Sequence, residues 1–120
     1  MSSIPVIGKH LIADFFGALY QTDIENIQHA LRSAADVAGA VTLNVVVHPF
    51  ADSEGVTGVA ILAESHISIH TWPEQDYIAL DIFMCGNSDP LTALNWLTDF
   101  FQPKSITTQL IERTPPTVTQ

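Results

Sequence analysis

The sequence predicts an α+β fold, a two-layer sandwich in which a mainly antiparallel sheet carries two helices on one face. Three observations lead there. Two stretches repeat apolar residues at helical spacing, each behind a capping signal. The remaining segments are β-branched or alternate with period two. The middle strands follow one another across short turns, which pairs neighbours antiparallel.

The elements run β-α-β-β-β-β-α-β. Gly8–Phe16 (GKHLIADFF) is apolar and short enough for a strand. Thr22-Asp23-Ile24-Glu25 has the S/T-x-x-E form of a capping box, with Thr22 as the cap. Behind it Ile24, Ile27, Leu31, Ala34, Ala35 and Ala38 mark one helical face, and Gly39 is a natural stop. Ala40–Val47 is a β-branched strand ending at His48-Pro49. Residues 51–55 form a turn, and Val56–Ala63 is a strand in which Gly58 marks a close backbone approach. His66–His70 alternates and stops before Pro73. Tyr77–Cys85 alternates again, with Ile78, Leu80, Ile82 and Met84 on one face and Tyr77, Asp81 and Cys85 on the other. Asp89 and Pro90 cap and start a second helix with Leu91, Leu94, Leu97 and Phe101 on its apolar face. A strand over Ser105–Arg113 precedes a tail, Thr114–Gln120, that reads as frayed. The sheet face away from the helices then holds His66, Ser68, His70, Asp81 and Cys85, a polar surface suited to solvent or to another subunit.

Composition narrows the function. At 120 residues, 47% apolar and 14% charged, the chain forms one domain over residues 1–120 and is not disordered. Four basic against thirteen acidic residues give −9, and no basic stripe exists for a nucleic acid or an anionic membrane. A cationic small substrate suits that charge. Cys85 stands alone, so no intrachain disulfide forms. Met1–Pro5 has no signal-peptide character and no apolar run spans a bilayer, which places the chain in the cytoplasm.

Two generic chemistries fare poorly. His66 and His70 have H-x3-H spacing, but on a strand they stand about 13 Å apart, too far to share a metal. No metal is therefore expected. Ser65, Ser68 or Cys85 beside a histidine suggests nucleophilic hydrolysis, yet no G-x-S-x-G elbow is present.

A more specific pattern is AESHISIHTWPEQDYIALDIFMCG, Ala63 to Gly86, which resembles the signature of the prokaryotic S-adenosylmethionine decarboxylases, a self-processing, pyruvoyl-dependent family. The resemblance extends through GVTG (Gly55–Gly58), HPF (His48–Phe50) and the opening GKHLIADFFG, so it covers nearly everything but the tail. It implies cleavage between Glu64 and Ser65 into chains 1–64 and 65–120, with Ser65 becoming a pyruvoyl group that holds substrate as a Schiff base. By the same resemblance His70 is the base of processing, and Cys85 is the general acid that reprotonates the product. Thr57 stands where the family usually has a processing serine. Glu74 matches the acid on the ribose hydroxyls, and Phe50 the aromatic stacked on adenine. The segment Ala51–Glu54 departs from the pattern, being one residue longer and adding Asp52 and Glu54.

The implied activity is decarboxylation of S-adenosylmethionine, giving the aminopropyl donor of spermidine synthesis, by a homodimer of processed units. Relatives acting on arginine or ornithine share the processing residues, and Asp52 and Glu54 would suit a guanidinium. A binding relative that never cleaves is a third alternative, opposed by the joint presence of Ser65, His70 and Cys85. Glu74 and Phe50, which only a nucleoside needs, favour S-adenosylmethionine.

Overall fold

A computed structural model describes residues 6–116. The tail read as frayed from the sequence lies, beyond Pro116, outside the described residues, as does the Met1–Pro5 opening. Strands β1 (Gly8–Phe16), β2 (Thr42–Pro49), β3 (Val56–Leu62), β4 (Ser65–Trp72), β5 (Tyr77–Cys85) and β6 (Ser105–Arg113) form one sheet in the order β2-β3-β4-β5-β1-β6. Every neighbouring pair is antiparallel. Helices α1 (Ile24–Val37) and α2 (Pro90–Phe101) both lie on one face, as the sequence predicts.

Alternation builds the core. Ile78, Leu80, Ile82 and Met84 of β5 and Ile67 and Ile69 of β4 are buried under the helices. Ile27, Leu31 and Ala34 of α1 and Leu94, Leu97 and Phe101 of α2 close on them. Gly58 makes the expected close approach: a Cβ there would meet Ile69 Cγ2 at 3.0 Å and Leu31 Cδ1 at 3.3 Å. Helix α1 rides over β2 and β3, and α2 over β5 and β1, which leaves β6 exposed along its whole length. Leu91, placed on the apolar face of α2 by its spacing, is 55% exposed because it stands beyond the edge of that contact. No described helix is long and apolar enough to cross a membrane.

Two polar fastenings set the ends of the sheet. Buried Thr71 accepts from the Val56 N–H at 2.9 Å and donates to the Gln21 carbonyl at 2.7 Å, tying β4 to β3 and to the approach of α1. On the open face, Asp14 of β1 accepts from the Tyr77 hydroxyl at 2.5 Å and from Thr107 at 3.2 Å, so one carboxylate joins β5, β1 and β6.

The cap of α1 is Asp23, not Thr22. The Asp23 carboxylate accepts from the Asn26 N–H at 3.1 Å, which leaves Glu25 inside the first turn and out of any capping box. A charged oxygen at the positive end of the helix outcompetes a neutral hydroxyl one residue earlier. The same hydrogen bond holds the Asp23 pKa below its ordinary value.

Two predictions follow from these fastenings. Asp23→Ala should lower the melting temperature and Thr22→Ala should not. The Asp23 contribution is complete above the ordinary carboxylate pKa and fades as pH falls through the lowered folded value. Equal losses in the two variants would return the cap to Thr22. At the alkaline end, the hydrogen bond to Asp14 raises the Tyr77 pKa from 10.0 to about 12. Between those values the folded chain keeps a proton that the unfolded chain releases, so stability falls as pH rises through that window. Tyr77→Phe should remove this part of the slope in denaturant midpoints taken from pH 9 to 12, and an unaltered slope would refute the assignment.

Candidate active site

Chemistry-bearing side chains gather in two groups, one at each end of β4. At the first, β3 and β4 are joined by the two-residue turn Ala63-Glu64, which leaves Leu62 paired with Ser65. Glu64 sits in the left-handed region at φ +66°, a position usually given to Gly or Asn. Such a conformation costs about 1–3 kcal/mol in a residue with a Cβ. The Cys85 thiol, at the end of β5, donates to the Glu64 carbonyl at 2.9 Å, and Ser65 Oγ lies 4.0 Å from the same sulfur. The structure thus gathers Glu64, Ser65 and Cys85 around one peptide bond. A cleft of about 370 Å³ opens beside them, lined by Glu64, Ser65, His66, His10, Phe83 and Arg113.

At the other end, Thr57 and His70 are direct partners across β3 and β4, with Thr57 Oγ1 3.3 Å from His70 Nδ1. His70 leans on Trp72 (6.0 Å between centroids), which stacks on Tyr77 (5.3 Å), which stacks on Phe16 (5.3 Å). Phe50 completes this aromatic row, 6.5 Å from Trp72. Its loop is closed by the Phe50 N–H donating to the Gly55 carbonyl at 2.8 Å. A Cβ on Gly55 would meet the Thr71 carbonyl oxygen at 2.5 Å and Phe50 Cδ2 at 2.8 Å, so only glycine lets the loop fold back this way. Beside it a cleft of about 590 Å³ is lined by Asp52, Ser53, Glu54, Pro73 and Glu74. The longer loop therefore brings both of its acids to Glu74.

These two groups do not meet within one chain. His70 lies five positions beyond Ser65 on β4, about 16 Å of extended strand. Between them lies a network of which sequence reasoning placed His66, Ser68 and Asp81 on this face and missed His10 and Arg113. Asp81 of β5 accepts from His10 Nε2 of β1, from His66 Nε2 at 3.4 Å and from Ser68 at 3.5 Å. Arg113 of β6 donates to His10 Nδ1 at 3.2 Å. No local signal announces this cluster, because its members lie on four strands and only the order β4-β5-β1-β6 makes them neighbours.

The ligand atoms of His10, His66 and Asp81 lie within 4.8 Å of one another, the spacing of a metal site. The tautomers argue against that use. A guanidinium only donates, so His10 Nδ1 accepts and Nε2 carries the proton given to Asp81. A metal on Nε2 would need that nitrogen unprotonated and would turn the Nδ1 proton toward Arg113. The residues fit a hydrogen-bonded network and not a metal centre.

Comparison with known proteins bears on the chain as a whole. The family described as S-adenosylmethionine decarboxylase matches residues 9–114. The S-adenosylmethionine decarboxylase proenzyme of Prochlorococcus marinus is 41% identical over 114 residues, covering 92% of this chain and 93% of its own. That of Pelotomaculum thermopropionicum is 38% identical over 110 residues, 89% of this chain and 86% of its own. The crystal structure of the adenosylmethionine decarboxylase from Aquifex aeolicus superposes with a TM-score of 0.79 at 32% identity, covering 96% of this chain and 97% of that one.

Proposed function

The chain belongs to the S-adenosylmethionine decarboxylase family, and we propose that it matures by cutting its own Glu64–Ser65 bond, two copies together completing each site. It is a decarboxylase of S-adenosylmethionine formed from a proenzyme, as the relatives' names state, and arginine or ornithine is not favoured as substrate. The observation that carries the maturation reading is the Cys85 thiol on the carbonyl of a residue strained at φ +66°.

That thiol polarises the Glu64 carbonyl and holds the oxyanion that forms when Ser65 Oγ attacks its carbon. Nitrogen leaves, an ester replaces the amide, and the left-handed strain at Glu64 is released. Removal of the Ser65 α-proton then expels Glu64 as a carboxylate. The dehydroalanine left at position 65 takes up water and loses ammonia, giving a pyruvoyl group at the head of chain 65–120. That group supplies the electron sink that amino-acid side chains lack.

The α-proton needs a base, and His70 is the histidine suited to it. The role requires the tautomer in which His70 Nδ1–H donates to Thr57 Oγ1, 3.3 Å away, and Nε2 is left free to take a proton. Its own chain holds it about 16 Å from Ser65, five strand residues away. A second copy laid face to face with its strands reversed removes that gap. Each Glu64–Ser65–Cys85 group then meets the partner copy's Thr57, His70, Glu74 and Phe50, and a two-fold axis makes two equal sites. The exposed Ile12, Phe16, Val46 and Ile61 on that face supply apolar area for the contact. After cleavage Cys85 reprotonates the substrate α-carbon, Glu74 holds the ribose hydroxyls and Phe50 stacks on adenine. The product is the aminopropyl donor for spermidine synthesis, and a working free thiol suits the reducing cytoplasm.

Two experiments test this reading. Ser65→Ala and His70→Ala should each stay whole by denaturing mass spectrometry when expressed alone. Co-expressed with distinguishable tags, the Ser65→Ala chain should lend its His70, and His70→Ala chains should be cut, up to about half of them for random pairing. A His70→Ala chain that stays whole beside its complement would refute shared sites, and a cut Ser65→Ala chain would end the pyruvoyl reading. Cys85→Ala should mature about 10²–10³-fold more slowly, the cost of losing one oxyanion donor. Once mature it should lose about 10²–10⁴-fold in carbon dioxide release. Normal rates of both would leave Cys85 a structural residue.

A further inference from the structure

The geometry points to Arg113 as the receptor for the carboxylate that maturation creates at Glu64, an assignment that rests on the self-cleavage proposed above. Cleavage gives Glu64 a second negative charge beside its own side chain, in a chain that already carries −9. Of the four Lys and Arg residues, only Arg113 lines the cleft that holds Glu64 and Ser65. Arg32 is on α1, Lys104 packs on Gly17, and Lys9 pairs with Met84 on the helix side of the sheet. Among the described residues no carboxylate lies within ion-pair distance of Arg113.

Arg113 is placed for the task. It pairs with Gly8 at the end of β6, and its carbonyl accepts from the Ile7 N–H at 2.9 Å, which fixes the backbone at the cleft. One N–H, on Nη1, goes to His10 Nδ1. The guanidinium keeps its remaining donors, enough for a two-pronged grip on a carboxylate. His10 does not compete for the new anion, because its own proton is committed to Asp81.

The capture has a consequence for Cys85. Before cleavage its thiol donates to the Glu64 carbonyl at 2.9 Å. After cleavage the same oxygen belongs to an anion, a stronger acceptor that would hold the thiol proton in place. Moving that carboxylate onto Arg113 frees the thiol to act as the acid of decarboxylation. One residue on the outermost strand thus separates the two uses of Cys85.

Arg113→Gln and Arg113→Lys, made in the full chain and allowed to mature, test this. Both should be cut at the wild-type rate within about twofold, since Arg113 acts after the bond breaks. A broad-specificity carboxypeptidase, followed by mass spectrometry, should remove Glu64 about five- to tenfold faster from mature Arg113→Gln than from mature wild type, with Arg113→Lys between. The protection should weaken with added salt. Alkylation of Cys85, the only thiol, should be slower in mature Arg113→Gln than in mature wild type, because its proton stays bound to the Glu64 carboxylate. Equal trimming and an unchanged alkylation rate would overturn the assignment, as would an Arg113→Gln chain that fails to cleave. A wild-type chain that is never cut would overturn the maturation reading along with it.

Discussion

A strand turns successive side chains to opposite faces, and the chemistry of this chain is governed by how β4 and β5 use that constraint. Ile67, Ile69 and Thr71 point to the helices, which leaves His66, Ser68, His70 and Trp72 on the open face. Across β5 the same alternation buries Ile78, Leu80, Ile82 and Met84 and turns Tyr77, Asp81, Phe83 and Cys85 outward. A slip of one residue in either strand would send the whole polar set into the core. The fold and the site therefore share one register, and the packing that stabilises one fixes the other.

This shared register explains what was legible in the sequence. The alternation in Tyr77–Cys85 and the helical spacing behind Asp23 and Asp89 declare the sheet, both helices and the face they share, because burial is periodic and periodicity is local. The cap at Asp23 was harder to read, since Thr22 and Asp23 are both good caps and the loop geometry chooses between them. The turn at Glu64 was harder still. Its left-handed φ contradicts ordinary turn chemistry, and local rules fail most often where a residue is held under strain for function. His10 and Arg113 had no signal at all. They enter the site only through the β5-β1-β6 adjacency, which is a tertiary fact.

The strain at Glu64 also has an energetic logic. An ordinary amide is a poor electrophile, and the fold acts on this one directly. It bends the peptide into an unfavourable conformation, sets a thiol on the carbonyl oxygen and a hydroxyl beside it, and lets the surrounding hairpin hold the arrangement. The six-stranded sheet is what makes that holding possible, because Leu62 and Ser65 on either side of the turn are already locked in a ladder. In the proposed cleavage that strain, about 1–3 kcal/mol, is released as the peptide opens, a small contribution beside the barrier.

The middle of the open face raises a final point. An interface between two sheets would be strongest if it were wholly apolar, since a desolvated ionic network often contributes little or negative net stability. Here the centre is instead His10, His66, Ser68 and Asp81, with Arg113 at its margin. Every side chain in that set makes at least one hydrogen bond within its own chain, so covering the face need not break these bonds. Such a network makes demands of position that apolar side chains do not. A partner sheet shifted by one strand would press apolar residues onto Asp81, and the desolvation cost of that carboxylate would disfavour the wrong docking. In the proposed dimer, a charge midway between the two end groups thus favours the alignment in which Ser65 faces a histidine.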